Sequence, residues 1–220
     1  MILQDVPALR SINLYGADSL TLDNTGFQNL VFLQGVSLRQ LTVRNNPDFT
    51  DATVLAVEEL IVDSNPQLTT LSLPAQAQPL ISLEVVGNPS LQSIDGGEDL
   101  TWLRALSVRD NPLLQTINLP WVQSLGTFQV IRNPSLSSIG LPLLTQQVDE
   151  LTVVSNPSLS LPSIFSITGR ARKYKLAGNQ GDPLFLDPCP YARDNFCDEP
   201  PVDSICAPGT DRYDCEDRLP

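Results

Sequence analysis

Apolar and variable positions alternate in a short phrase that returns along the chain. Leu41, Leu60, Leu83, Leu106, Phe128, Leu151 and Tyr174 are each followed two residues later by Val43, Val62, Val85, Val108, Val130, Val153 and Leu176. Thr42, Ile61, Glu84, Ser107, Gln129, Thr152 and Lys175 stand between them. This period of two predicts a half-buried strand, a setting that suits β-branched Val. Three residues beyond each Val an Asn recurs, at 46, 65, 88, 111, 133, 156 and 179, and Pro follows the first six. Asn-to-Asn steps are 19, 23, 23, 22, 23 and 23 residues. After the Asn come Phe49, Leu68, Leu91, Leu114, Leu136 and Leu159, then in four copies Leu71, Ile94, Ile117 and Ile139. A repeat of this length predicts a solenoid in which each copy is one coil stacked on the last. The expected fold is mainly β: a right-handed parallel β-helix or leucine-rich-repeat-like solenoid of about seven to eight coils, with a small disulfide-rich C-terminal tail.

The Asn-Pro pair predicts a corner. A residue before Pro is pushed toward extended geometry, and Pro itself presets φ and carries no N–H for the ladder. The strand is therefore expected to end at the Asn, whose side chain can bond backbone in the bend. Stacking would place the seven Asn in one structural column. Leu20 and Leu22 begin a degenerate coil with Asn24, and Leu9, Ile12 and Leu14 already read as repeat-like.

The repeat divides the chain into a solenoid over 1–186, with regular coils over 41–179, and an acidic Cys-rich module over 187–220. A hydrophobic content of 41% supplies a continuous core, and the abundant Pro is largely periodic. No run approaches the length of a membrane span. Met1-Ile2-Leu3-Gln4-Asp5 has neither the basic nor the apolar region of a secretory signal. The chain reads as starting inside the solenoid. An uncapped first coil would leave a strand edge open, which predicts self-association or an upstream part.

Outward positions are where recognition would sit. The residues two before each Asn are Arg44, Asp63, Val86, Arg109, Ile131, Val154 and Ala177. Coils about 4.8 Å apart would let Arg44 face Asp63, and Asp110 face Arg132. Val86, Ile131 and Val154 would form an apolar strip, a candidate partner surface with Arg44 and Arg109 beside it. Connecting segments vary more than the Asn-Pro phrase, and insertions in solenoids gather on binding edges. Trp102, beside Asp95-Gly96-Gly97-Glu98-Asp99, is the candidate for stacking on a sugar or peptide. Trp121 lies in Leu119-Pro120-Trp121-Val122, where another coil has Leu141-Pro142-Leu143-Leu144, and is expected in the core.

Charge narrows the partners. A net charge of −12 repels phosphate backbones and argues against nucleic acid. The basic cluster Arg170, Arg172, Lys173 and Lys175 reads as the lip of the last coil, facing an acidic tail. The four cysteines, Cys189, Cys197, Cys206 and Cys215, all lie in that tail with nine carboxylates against three arginines. An even count in a short, Pro-rich piece predicts disulfides and an oxidising compartment, with three pairings open. Zinc is the rival, but the cysteines lack close pairs and the chain has no His. Asp198, Asp211 and Asp214 are the candidate Ca²⁺ ligands; no other cofactor is implied.

The absence of His also bears on catalysis. A carboxylate pair can serve a carbohydrate-active enzyme, and Glu84 with Asp63, or Asp95 with Glu98 and Asp99, are the candidates. No phosphate loop, nucleophile motif or metal cluster accompanies them.

Val86-Gly87-Asn88-Pro89-Ser90-Leu91-Gln92-Ser93-Ile94 resembles the receptor L domain family. These are the leucine-rich β-helical modules of the insulin and epidermal growth factor receptors. The phrase is similar also to coils of fungal GPI-anchored cell-wall proteins and bacterial surface relatives. Over residues 197–215 the tail resembles Cys-rich modules of secreted bacterial surface proteins. The resemblance implies a non-catalytic extracellular or cell-surface module that binds a protein or glycan through a coil face or loop edge. The alternative is a structural spacer in a larger envelope protein. N-glycosylation sequons are absent, since Asn88, Asn133 and Asn156 each precede Pro.

Overall fold

A computed structural model of the chain describes residues 1–9, 17–29, 38–53, 57–73, 80–160 and 164–180. In chain order the strands are β1 (Ile2–Val6), β2 (Ser19–Thr25), β3 (Leu38–Arg44), β4 (Asp51–Thr53), β5 (Val57–Asp63), β6 (Thr70–Leu73) and β7 (Ser82–Val86). They continue as β8 (Ser93–Gly96), β9 (Trp102–Arg109), β10 (Thr116–Asn118), β11 (Ser124–Ile131), β12 (Ser138–Gly140) and β13 (Val148–Val154). A single turn of helix, α1 (Phe165–Thr168), precedes β14 (Ala171–Ala177).

The strands fall into two parallel sheets. One has nine strands in the order β1-β2-β3-β5-β7-β9-β11-β13-β14, and the other five in the order β12-β10-β8-β6-β4. From β3 to β13 the chain visits the two sheets alternately, and α1 stands in for the last return. Parallel neighbours need a crossover, and here each crossover is the remainder of a coil. The chain is thus a parallel β-solenoid, and its seven column Asn bound six turns.

Register turns the repeated phrase into columns. Leu41, Leu60, Leu83, Leu106, Phe128, Leu151 and Tyr174 pair in succession, and so do Val43, Val62, Val85, Val108, Val130, Val153 and Leu176. In the second sheet Leu71, Ile94, Ile117 and Ile139 align in the same way. All but Tyr174 belong to one buried core, and Tyr174 packs against it. The core also holds a column that alternation did not disclose: Leu38, Val57, Leu80, Leu103, Leu125 and Val148, each three residues before the first Leu or Phe column. A three-residue step between two inward side chains requires an extra residue in the strand. That bends the strand.

The Asn-Pro corner begins one residue earlier than expected. The strands stop two residues before the Asn. The intervening residue takes a left-handed conformation in every coil: Asn24, Asn45, Ser64, Gly87, Asp110, Arg132, Ser155 and Gly178 have φ between 50° and 67°. This residue, not the one before Pro, swings the chain and aims the next side chain inward. Its N–H donates to the end of the following strand, as from Ser64 to Val86 O at 2.9 Å. Asn-Pro-x-Leu then closes a β-turn, with the last N–H donating to the Asn carbonyl at 2.9–3.4 Å in six coils. Pro at the second position is what such a turn favours.

The Asn side chains form a continuous ladder, and all seven are 0% exposed. Each Oδ1 accepts the backbone N–H and the Nδ2 of the Asn one coil earlier, as Asn111 does from Asn88 at 3.0 and 3.3 Å. Each of the first six Nδ2 groups also donates to a carbonyl of its own strand and to one of the preceding strand. At the N-terminal end Thr25, not Asn24, occupies the column. Its N–H and Oγ1 both donate to Asn46 Oδ1, at 2.8 and 2.5 Å. Asn24 takes the left-handed position and donates to Asp5.

Candidate recognition surfaces

Three regions of the outside differ from a plain solvated surface: the outer face of the nine-stranded sheet, the proline ledge and the second corner.

On the sheet face, positions two and four before the Asn carry the charge. Arg109 donates to Glu84 on the neighbouring strand in a short ion pair. Arg44 bonds Asp23 of the preceding coil at 2.9 Å, rather than the adjacent Asp63 that spacing put opposite it. Asp23 is buried and already accepts from Asn45 Nδ2, so it draws the guanidinium more strongly than Asp63. Asp63 accepts instead from Ser64 Oγ. Val86, Ile131 and Val154 are half-buried, and Arg109 separates Val86 from the other two. The apolar strip is therefore interrupted. Beside it small Ser82 and Ala105 leave a cleft of about 370 Å³ walled by Glu59, Ile61, Ile81, Glu84 and Arg104. Among the described residues, Ser107 Oγ and Arg109 Nε are buried without a hydrogen-bond partner.

The proline ledge follows the first corner. Pro112, Pro134 and Pro157 border an open cleft of about 570 Å³ with Asp110, Arg132 and Ser155. Asp110 and Arg132 form the expected pair, a two-pronged one with distances of 2.6 and 2.7 Å. The hydrogen bond from Arg132 holds the Asp110 carboxyl below its usual range. Ser90, Ser135 and Ser158 tie the ledge together by donating to Pro66, Pro112 and Pro134 carbonyls at 2.6 Å each.

At the second corner Gly97–Leu100, Leu119–Val122 and Leu141–Leu144 close by the same turn bond, at 3.1–3.3 Å. Leu100, Leu119, Val122, Leu141 and Leu144 point into the core. The third residue of each turn points out, and this corrects the expectation for Trp121, which is 42% exposed. Its alignment with Leu143 holds, but Leu143 is 42% exposed too. In a turn the first and last residues anchor the strands, so the third is free of the core whatever its type. Trp102, three residues past Asp99, is 41% exposed at the start of β9. The only two Trp of the chain thus stand at one edge, in consecutive coils, with exposed Glu98 and Asp99 beside them.

Of the carboxylates considered for catalysis, Glu84 is taken by Arg109 and Asp95 accepts from Ser93. Cys189, Cys197, Cys206 and Cys215, and the calcium candidates Asp198, Asp211 and Asp214, lie outside the described residues. Among the described residues no helix is long and apolar enough to cross a membrane. No family model matches the chain, nor does any curated protein or solved structure.

Proposed function

We propose that the chain is a non-catalytic recognition module that works outside the cell or on its surface. It binds through the second-corner edge of the solenoid. The observation that carries this is the exposure of both Trp, 41% and 42%, on a scaffold that buries its other large core side chains. The exposed part of an indole gains nothing for the fold; against a ligand it offers a rigid apolar face at little entropic cost. The location follows from reading the four tail cysteines as disulfides, since these persist in oxidising compartments. The likeness of Asn88-Pro89-Ser90-Leu91 and its copies to receptor L domain coils supports the same reading.

The test is a binding screen of the whole chain against glycans and surface proteins, with Trp102→Ala alongside. Binding that the substitution weakens supports the proposal. Binding that ignores it moves the site to the sheet face around Arg44, Val86, Arg109, Ile131 and Val154. No binding at all favours a spacer.

A further inference from the structure

We infer that the ligand of the Trp edge is a neutral glycan, held by stacking along the edge rather than enclosed in a pocket. This rests on the recognition reading above and narrows it to one class of ligand.

The shape of the edge comes first. The outward apolar groups are few, with Trp121 and Leu143 aligned on successive turns and Trp102 at the foot of its strand. They do not merge into the apolar centre that a stable protein interface of about 800 Å² per partner needs. Separate flat rings suit the flat C–H faces of pyranoses. Ser124, the register partner of Trp102 on the next coil, is small.

The rim supplies matching polar groups. Thr101, Gln123, Thr145 and Gln146 are all exposed along this edge. Their backbones are locked together: Gln123 N–H donates to Thr101 O at 2.7 Å, and Gln123 O accepts from Thr145 and Gln146 at 3.0 Å. Hydroxyl and amide side chains both donate and accept, as sugar hydroxyls do. Successive coils repeat these groups every ~4.8 Å, a spacing comparable with one pyranose ring along a polysaccharide.

Charge selects among glycans. Glu98 and Asp99 stand exposed beside Trp102 and Trp121, while the Arg170 guanidinium, which donates to Thr145 O at 3.1 Å, lies at the far end of the rim. Carboxylates accept hydrogen bonds well from neutral sugars but repel uronic or sulfated ones. At the Trp end of the edge the carboxylates therefore favour an uncharged ligand.

Affinity electrophoresis of the whole chain through gels containing a β-glucan, a mannan or polygalacturonate tests this, with isothermal titration of the retarding polymer. Neutral polymer should retard the protein, and polygalacturonate should not. Trp102→Ala and Trp121→Ala should each weaken binding about tenfold, the scale of one lost aromatic contact. Leu113→Ala, exposed on the other corner, should change nothing. Retardation by polygalacturonate in preference to the neutral polymers overturns the inference. So does failure of both neutral polymers while a protein is captured Trp-dependently, an outcome that leaves the recognition reading standing. Neutral binding unaffected by either Trp substitution overturns both the inference and the assignment of the edge.

Discussion

Asn111→Ala tests the ladder at its middle. Asn111 Nδ2 donates to Val85 O at 3.2 Å, Arg109 O at 2.8 Å and Asn133 Oδ1 at 3.2 Å. Its Oδ1 accepts from Asn88 N–H at 3.0 Å and Asn88 Nδ2 at 3.3 Å. Truncation takes the side-chain partner from Val85 O and from the Asn88 N–H at a site that is 0% exposed, while Arg109 O keeps the Gly87 N–H at 3.1 Å. Each buried group without a partner costs about 1–3 kcal/mol, so two call for about 2–6 kcal/mol, reduced if water enters the space. The expected loss is about 2–5 kcal/mol, a large part of the ~5–15 kcal/mol that holds a typical domain. Asn179→Ala, at the end of the column, takes the partner from Val153 O and the Asn156 N–H and should cost a similar amount. Among the described bonds its Nδ2 donates only to Val153 O. Urea unfolding followed by Trp fluorescence suits the purpose, because Trp102 and Trp121 sit on the coils either side of Asn111. Hydrogen exchange adds a local readout: the Asn88 amide, which donates to Asn111 Oδ1, should lose protection. A loss below about 1 kcal/mol or an Asn88 amide as protected as before would refute the reasoning.

Other substitutions probe the corners and the outer face. Gly87→Ala places a Cβ at φ +63°, 3.2 Å from Ser64 Oγ, and should lower the urea midpoint by the equivalent of about 1 kcal/mol. Ser155→Gly, at φ 59°, should move it the other way by about 0–1 kcal/mol, because relief of strain is partly offset by a more flexible unfolded chain. Gly126→Ala would set a Cβ 2.5 Å from Arg104 O; thermal melts should show a loss of about 2 kcal/mol or more, since backbone must move. For the Asp110–Arg132 pair the sign follows from a carboxyl held low. Its stabilisation is present above the unfolded value near 4 and fades as pH falls through the folded one. Both side chains are about half exposed, so Asp110→Asn should cost under about 1 kcal/mol at neutral pH, and the difference should vanish in acid and shrink in high salt.

The inward columns were legible because burial and period coincide: Leu106 and Val108 alternate, and Asn111 recurs at fixed distance. The column of Leu38, Val57, Leu80, Leu103, Leu125 and Val148 was not, because a bent strand breaks the period of two by one residue. The left-handed position escaped notice for a related reason. Gly87 and Gly178 announce it, but Ser64, Arg132 and Ser155 do not, since the ladder on either side holds them there against their own preference. For the candidate site, Trp102 was readable as an edge residue and Trp121 was not. Its neighbours Leu119 and Val122 are core residues, and only the turn geometry shows that the residue between them faces out. The partner of Arg44 depended on how deeply Asp23 is buried, which spacing does not convey.

These positions imply a separation between what holds the solenoid together and what it presents. The coil axis is set by inward Leu, Val and Asn, all on repeated columns. The outward row at Thr42, Ile61, Glu84, Ser107, Gln129, Thr152 and Lys175 obeys no common chemistry, so the coils do not need one there. The second-corner positions of Asp99, Trp121 and Leu143 are equally free. A Trp at such a position should contribute little to folding. Trp102→Ala and Trp121→Ala should therefore cost under about 2 kcal/mol, although each removes one of the largest side chains in the chain. A loss above about 2 kcal/mol would mean that the indole packs as core, and the recognition assigned to this edge would lose its physical basis.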